Sequence, residues 1–150
     1  MYYACKHFII GEMVPKVMYQ TQPAHILWQL FDDRLLITLD RIWELHGGKG
    51  DPIYINNHLW SGPLQYSGWR PWDCSEGAKF SGHKYGRCAD VHTDPDRITP
   101  EELLEDIIKN PNRSAYEYIT EVETGTEGWC HISVRNWRKD IYGLRLIPIK

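Results

Sequence analysis

His83 and Asp90 stand seven positions apart in the segment Ser81-Gly82-His83-Lys84-Tyr85-Gly86-Arg87-Cys88-Ala89-Asp90, across a glycine turn. A nitrogen and an oxygen ligand of this kind suit zinc. In a catalytic zinc site three protein ligands leave one position for water, whose pKa the metal lowers to about 7. A further histidine would complete the set. His131 is the best placed, because Trp129-Cys130-His131-Ile132-Ser133-Val134 alternates like a strand and puts His131 on the face opposite Ile132. On type and spacing alone, the same residues also fit a loop histidine, a turn aspartate and a satisfied histidine on a half-buried strand.

Several elements must position these groups. Leu35, Leu36, Leu39, Ile42, Trp43 and His46 recur with helical spacing, after a cap at Asp32 or Asp33 and before a stop at Gly47-Gly48. A shorter helical piece is expected around Pro23 to Leu30. Pro52 to Ile55 reads as a strand that delivers Asn56, Asn57 and His58 at its end. Trp60 to Lys84 is broken by glycine and proline and reads as a long functional loop. Arg87 to Thr93 is a strand candidate. Thr99-Pro100-Glu101-Glu102 starts a helix with a capping box and proline in the first turn, ending near Asn110-Pro111. Ala115 to Glu123, Trp129 to Arg135 and Tyr142 to Ile149 are further strand candidates, the first two joined by Thr124-Gly125-Thr126. Helices followed mostly by strands predict an α+β domain with an antiparallel sheet.

A length of 150 residues predicts one domain, residues 1 to 150, without repeats or linkers. Apolar residues at 42% and charged residues at 25% are ordinary for a globular chain, whereas 13% aromatic residues is high. A net charge of -3 argues against nucleic acid as a partner, since phosphate binding relies on a basic surface. No run approaches the ~18 to 20 apolar residues of a membrane span, and no export signal is recognisable, so a cytoplasmic location in the producing cell is expected. The four cysteines form no close pair and are expected to be reduced thiols.

Ser81, His83, Gly86, Ala89 and Asp90 resemble the serine, histidine, glycine and aspartate pattern of zinc D-alanyl-D-alanine carboxypeptidases and dipeptidases. Ser67-Gly68-Trp69-Arg70 looks like that family's Ser-Gly-Tyr-Arg segment, and His131 matches its later strand histidine. The matches run in family order over residues 67 to 131. His7 to Asp51 also looks like the leading region of small phage and prophage members. The resemblance implies a small α+β fold of the hedgehog and D-Ala-D-Ala-peptidase kind, with zinc held by His83, Asp90 and His131. It implies a hydrolase acting on peptidoglycan stem peptides, by trimming D-Ala-D-Ala or by cutting an L-Ala-D-Glu type bond. Phage relatives serve as endolysins, which act on the cell wall after release.

Under that resemblance Arg70 would stabilise the oxyanion or bind a substrate carboxylate, and Ser81 would face the substrate, although a serine there also caps a turn. Relatives place a carboxylate three residues before the second histidine, where this chain has Gly128. Glu127 is the nearest candidate base, with Glu123 and Glu121 in reserve. A non-catalytic zinc-binding wall or virion module is the alternative that Gly128 raises, and a small amidase acting on another amide is a third. His92 and His58 could orient a ligand or substrate, and His58 is carried forward as a substrate-binding candidate. Cys88 and Cys130 are expected to point to the other face of their strands from the ligands. Trp60, Tyr66, Trp69 and Trp72 could wall a groove or fill the core.

Overall fold

The computed structural model of the chain describes residues 1–47 and 53–149. Gly48 and Pro52, parts of the predicted helix stop and first strand, lie outside the described residues. Three helices come first: α1 (Lys16–Thr21), α2 (Ala24–Trp28) and α3 (Asp33–His46). The α3 helix forms where the apolar period predicts it. The Asp32 carboxylate caps it by accepting from Arg34 N at 3.0 Å, Gly47 follows its last turn, and Leu35, Leu36, Leu39 and Ile42 are fully buried. The second long helix, α4 (Pro100–Lys109), has the expected capping box between Thr99 and Glu102 and buries Leu103 and Ile107.

Five strands, β1 (Ile53–Tyr54), β2 (Cys88–Thr93), β3 (Glu121–Thr124), β4 (Cys130–Ser133) and β5 (Arg145–Pro148), form one sheet in the order β1-β2-β4-β3-β5. The chain is therefore α+β, as its pattern predicts, with two corrections. The sheet is mixed, because β5 lies parallel to β3. A short helix, α5 (Lys139–Tyr142), occupies part of the crossover that a parallel return requires. The strand predicted from Ala115 begins only at Glu121. Residues 115 to 119 are instead turns closed by Tyr116 N to Arg113 O and Ile119 N to Tyr116 O bonds. Tyr116 is fully buried there, with its hydroxyl on His46 and Asp106, which links α3 to α4.

Side chains alternate along each strand, so the two sheet faces are chemically distinct. Ala89, Val91, Val122, Cys130 and Ile132 point to one face and share a single buried cluster with the apolar stripes of α3 and α4. Asp90, His92, His131, Glu121 and Glu123 point to the other face, which the long loop before β2 partly covers to leave a cavity of about 650 Å³.

That loop is tied to the fold by backbone contacts too close for any side chain. Gly68 packs so that a Cβ would stand 2.2 Å from Met13 O. Gly86 has φ +67°, and its Cβ would stand 1.9 Å from Leu30 O. Replacing Gly86 by Ala adds both left-handed strain and a backbone collision, together costing at least ~2 kcal/mol. At ~2–4 °C per kcal/mol for a chain of this size, the midpoint of thermal unfolding should fall by at least ~4 °C. An unshifted melting curve would show that the turn relaxes without cost.

Candidate metal centre

The structure brings His83, Asp90 and His131 together. Each offers a ligand atom, and these atoms lie within 4.8 Å of one another. The β2–β4 register pairs Asp90 directly with His131, and directly opposed residues of antiparallel strands project to the same face. His83 arrives from a short 3-10 turn, Gly82–Tyr85, just before β2. Ser81 caps this turn, its Oγ accepting from His83 N at 3.4 Å, and it also lines the cavity. Gly82 lets the turn close on β2, because a Cβ there would stand 2.1 Å from Cys88 Sγ.

The surroundings hold each ligand in one orientation. The buried His83 donates from Nδ1 to Gly68 O at 2.8 Å, which leaves the Nε2 lone pair facing Asp90 Oδ1 at 3.4 Å. Asp90 Oδ2 accepts from Arg70 Nη2 at 3.0 Å, and Asp90 N donates to Ser67 O at 2.8 Å. Asp90 Oδ1 accepts from His131 Nδ1 at 2.7 Å. Burial alone would raise the Asp90 carboxyl, but hydrogen bonds and charge from His131 and His83 outweigh it and hold the group far below the usual carboxylate range. Burial keeps His83 below the ordinary histidine value. For His131 burial works in the same direction, but the hydrogen bond to Asp90 wins and pushes it up to about 10.

Two nitrogens and one carboxylate oxygen make a donor set for zinc, with a fourth position left for substrate or water. Bonds of about 2.0–2.1 Å in a tetrahedron place ligand atoms about 3.3 Å apart. The 3.4 Å between His83 and Asp90 matches that spacing, and the 2.7 Å hydrogen bond of His131 needs only a small opening. The three residues could therefore hold a metal ion.

Other predicted site residues divide sharply. Arg70 lines the cavity, but it is buried and its donors are engaged. Nε donates to Tyr66 O at 2.6 Å, Nη1 reaches Glu76 O at 3.4 Å, and Nη2 holds Asp90. Its guanidinium is thus bound to two backbone carbonyls and to Asp90. Glu127 is exposed in the β3–β4 turn and is not among the cavity's lining residues, whereas Glu121 and Glu123 are. Gly128 has φ +89° and donates its N–H to Glu101 at 2.8 Å. His58 lies away from the cavity, with Nε2 on Val14 O at 2.9 Å. His92 does line it, hydrogen-bonded to Ser67 Oγ at 3.0 Å and stacked on Tyr54.

Of the loop aromatics singled out from the sequence, Tyr66 lines the cavity and Trp69 packs against the core. Trp60 and Trp72 are exposed. The four cysteines are free thiols, but the expected direction of Cys88 needs correction. It lies two residues from Asp90, hence on the same face, and lines the cavity. Cys130, next to His131, does point into the core, where burial raises its thiol pKa.

Sequence reasoning missed three contributors: the Gly68 carbonyl that orients His83, and Arg135 and Arg145 in the cavity wall. A backbone acceptor carries no residue-type signal. Arg145 enters the site only through the parallel β3–β5 pairing. Among described residues, no helix is long and apolar enough to cross a membrane. Comparison of the chain with protein-family models, with curated proteins and with solved structures finds no match in any of the three.

Proposed function

We propose that this chain is a zinc peptidase that hydrolyses peptide bonds in peptidoglycan stem peptides. The observation that carries this reading is the convergence of His83, Asp90 and His131 at one cavity, with His83 oriented by Gly68 O and Asp90 by Arg70. The order of the family-like segments supplies the substrate class. A zinc ion held there supplies Lewis-acid polarisation of a carbonyl and a lowered pKa for water.

The chain's own groups would do the rest. Asp90, fixed by Arg70, adds the negative charge that favours a dication. Glu123 supports the role of general base better than Glu127. It lies on the sheet face of His131, and continuing the β3–β4 register sets it beside that residue. Its carboxylate has no ion-pair partner among the described residues. Such a carboxylate can take a proton from the attacking water and return it to the leaving amine nitrogen.

Purified chain is expected to bind zinc in a one-to-one ratio and to release amino-acid or peptide products from muropeptides, read by metal analysis and mass spectrometry. The His83→Ala variant should lose both. Absence of zinc binding, or muropeptide cleavage that persists in His83→Ala, would overturn the proposal. Zinc binding without turnover would favour a non-catalytic wall-binding or virion module, and products from a different amide would favour the amidase reading.

A further inference from the structure

The cavity wall on the β3 and β5 side is built around Glu121, which the catalytic reading does not use. Glu121 is 6% exposed. Its Oε1 faces Arg135 Nη1 at 3.6 Å and its Oε2 faces Arg145 Nη1 at 3.4 Å. Both separations are long for charged partners, which normally close to about 2.7–2.9 Å. The arginines are also held by other contacts. Arg135 Nη2 donates to Phe80 O at 2.7 Å, and the Arg145 guanidinium lies 5.0 Å from the Trp137 ring centroid.

At Glu121 itself two positive charges face one negative, while Glu123, two residues along β3, adds a second carboxylate to the cavity lining. The side chains of Arg135 and Arg145 are 40% and 48% exposed and both line the cavity. Arg70, the remaining arginine of the lining, is committed to Asp90. The wall also stands in register with the metal-ligand row. Cys88, Ser133, Glu121 and Arg145 are laterally paired across β2, β4, β3 and β5, two residues along the strands from the paired Asp90 and His131. Side chains two residues apart on a strand are separated by about 6.6–6.8 Å. Arg145 also stands two strands from His131, and neighbouring strands lie about 4.7–4.9 Å apart, so an arginine stem and an extended segment of substrate together bridge the distance.

We infer that Arg135 and Arg145 form a carboxylate subsite, which takes a free carboxylate of the substrate on the β3 and β5 side of the bond to be cleaved. The planar forks present paired N–H donors that match the two oxygens of a carboxylate, and Glu121 holds both forks at the wall without neutralising them. This rests on the peptidase reading for the position of the bond, but the binding itself does not depend on turnover.

The test is a calorimetric titration of the zinc-free and the zinc-loaded chain with a short D-Ala-D-Ala peptide and with its C-terminal amide. A second pair of peptides carries the only free carboxylate on a side chain, or that group amidated. Wild type should bind one acid at least about tenfold more tightly than its amide, and the pair that discriminates identifies the carboxylate that is read. Arg145→Gln should erase the discrimination while leaving zinc stoichiometry intact. Arg145→Lys should restore part of it, since the charge remains and the fork is lost. Equal binding of acid and amide by wild type in both pairs overturns the subsite, and that comparison needs no variant. Hydrolysis that ignores amidation would sink the subsite and leave the peptidase standing. Acid-selective binding without hydrolysis would do the reverse.

Discussion

The Glu123→Gln variant is expected to lose muropeptide hydrolysis by about 10²–10⁴-fold while keeping zinc at wild-type stoichiometry, because the amide preserves shape but cannot accept the proton. The Glu127→Gln variant should stay within about threefold of wild type, since an exposed turn residue outside the cavity contributes no proton transfer. Kinetics on the two proteins beside a metal assay decide the matter. Full activity in Glu123→Gln, or its collapse in Glu127→Gln, would sink the assignment. Glu121 is a poorer candidate, because it already faces Arg135 and Arg145 at 3.6 and 3.4 Å.

Asp90→Ala should be the most damaging substitution in the chain. The carboxylate accepts from Arg70 and His131 and faces His83, so its removal takes away a metal ligand and leaves the Arg70 guanidinium buried with one partner missing. Breaking a buried charge pair by removing one member costs about 3–5 kcal/mol. In a chain of this size that lowers the unfolding midpoint of the metal-free protein by ~6–20 °C. Zinc should no longer bind or protect against unfolding. Asp90→Asn keeps the volume and one acceptor oxygen, so it should unfold nearer to wild type while still binding zinc poorly. Calorimetric scans with and without added zinc read both effects. Wild-type melting and zinc protection in Asp90→Ala would rule out the three-ligand centre.

Gly128 changes meaning once the turn is visible. It occupies the place where the resembled family has a carboxylate, and that alone would suggest a dead enzyme. A residue there adopts φ +89° and gives its N–H to Glu101, a backbone demand that favours glycine. Glu121 and Glu123, on the neighbouring strand, are carboxylates that line the cavity with His83, Asp90 and His131.

The sequence by itself determined whatever depends on short-range order. The 3.6-residue period and the caps located α3 and α4, and alternation located β2 and β4. A compact motif singled out His83 and Asp90, whose separation of seven residues spans one turn and the start of one strand. The tertiary structure alone decided what depends on pairing between distant segments. Ala115 to Ile119 are apolar enough for a strand, yet a buried Tyr116 hydroxyl that satisfies Asp106 and His46 keeps them as turns. The parallel docking of β5 brings Arg145 into the cavity wall, and the parity of β2 turns Cys88 toward the site. Strand pairing sets which side chains share a face, so the position of Glu123 in the cavity lining and of Glu127 in the exposed turn became visible only once β3 and β4 were paired.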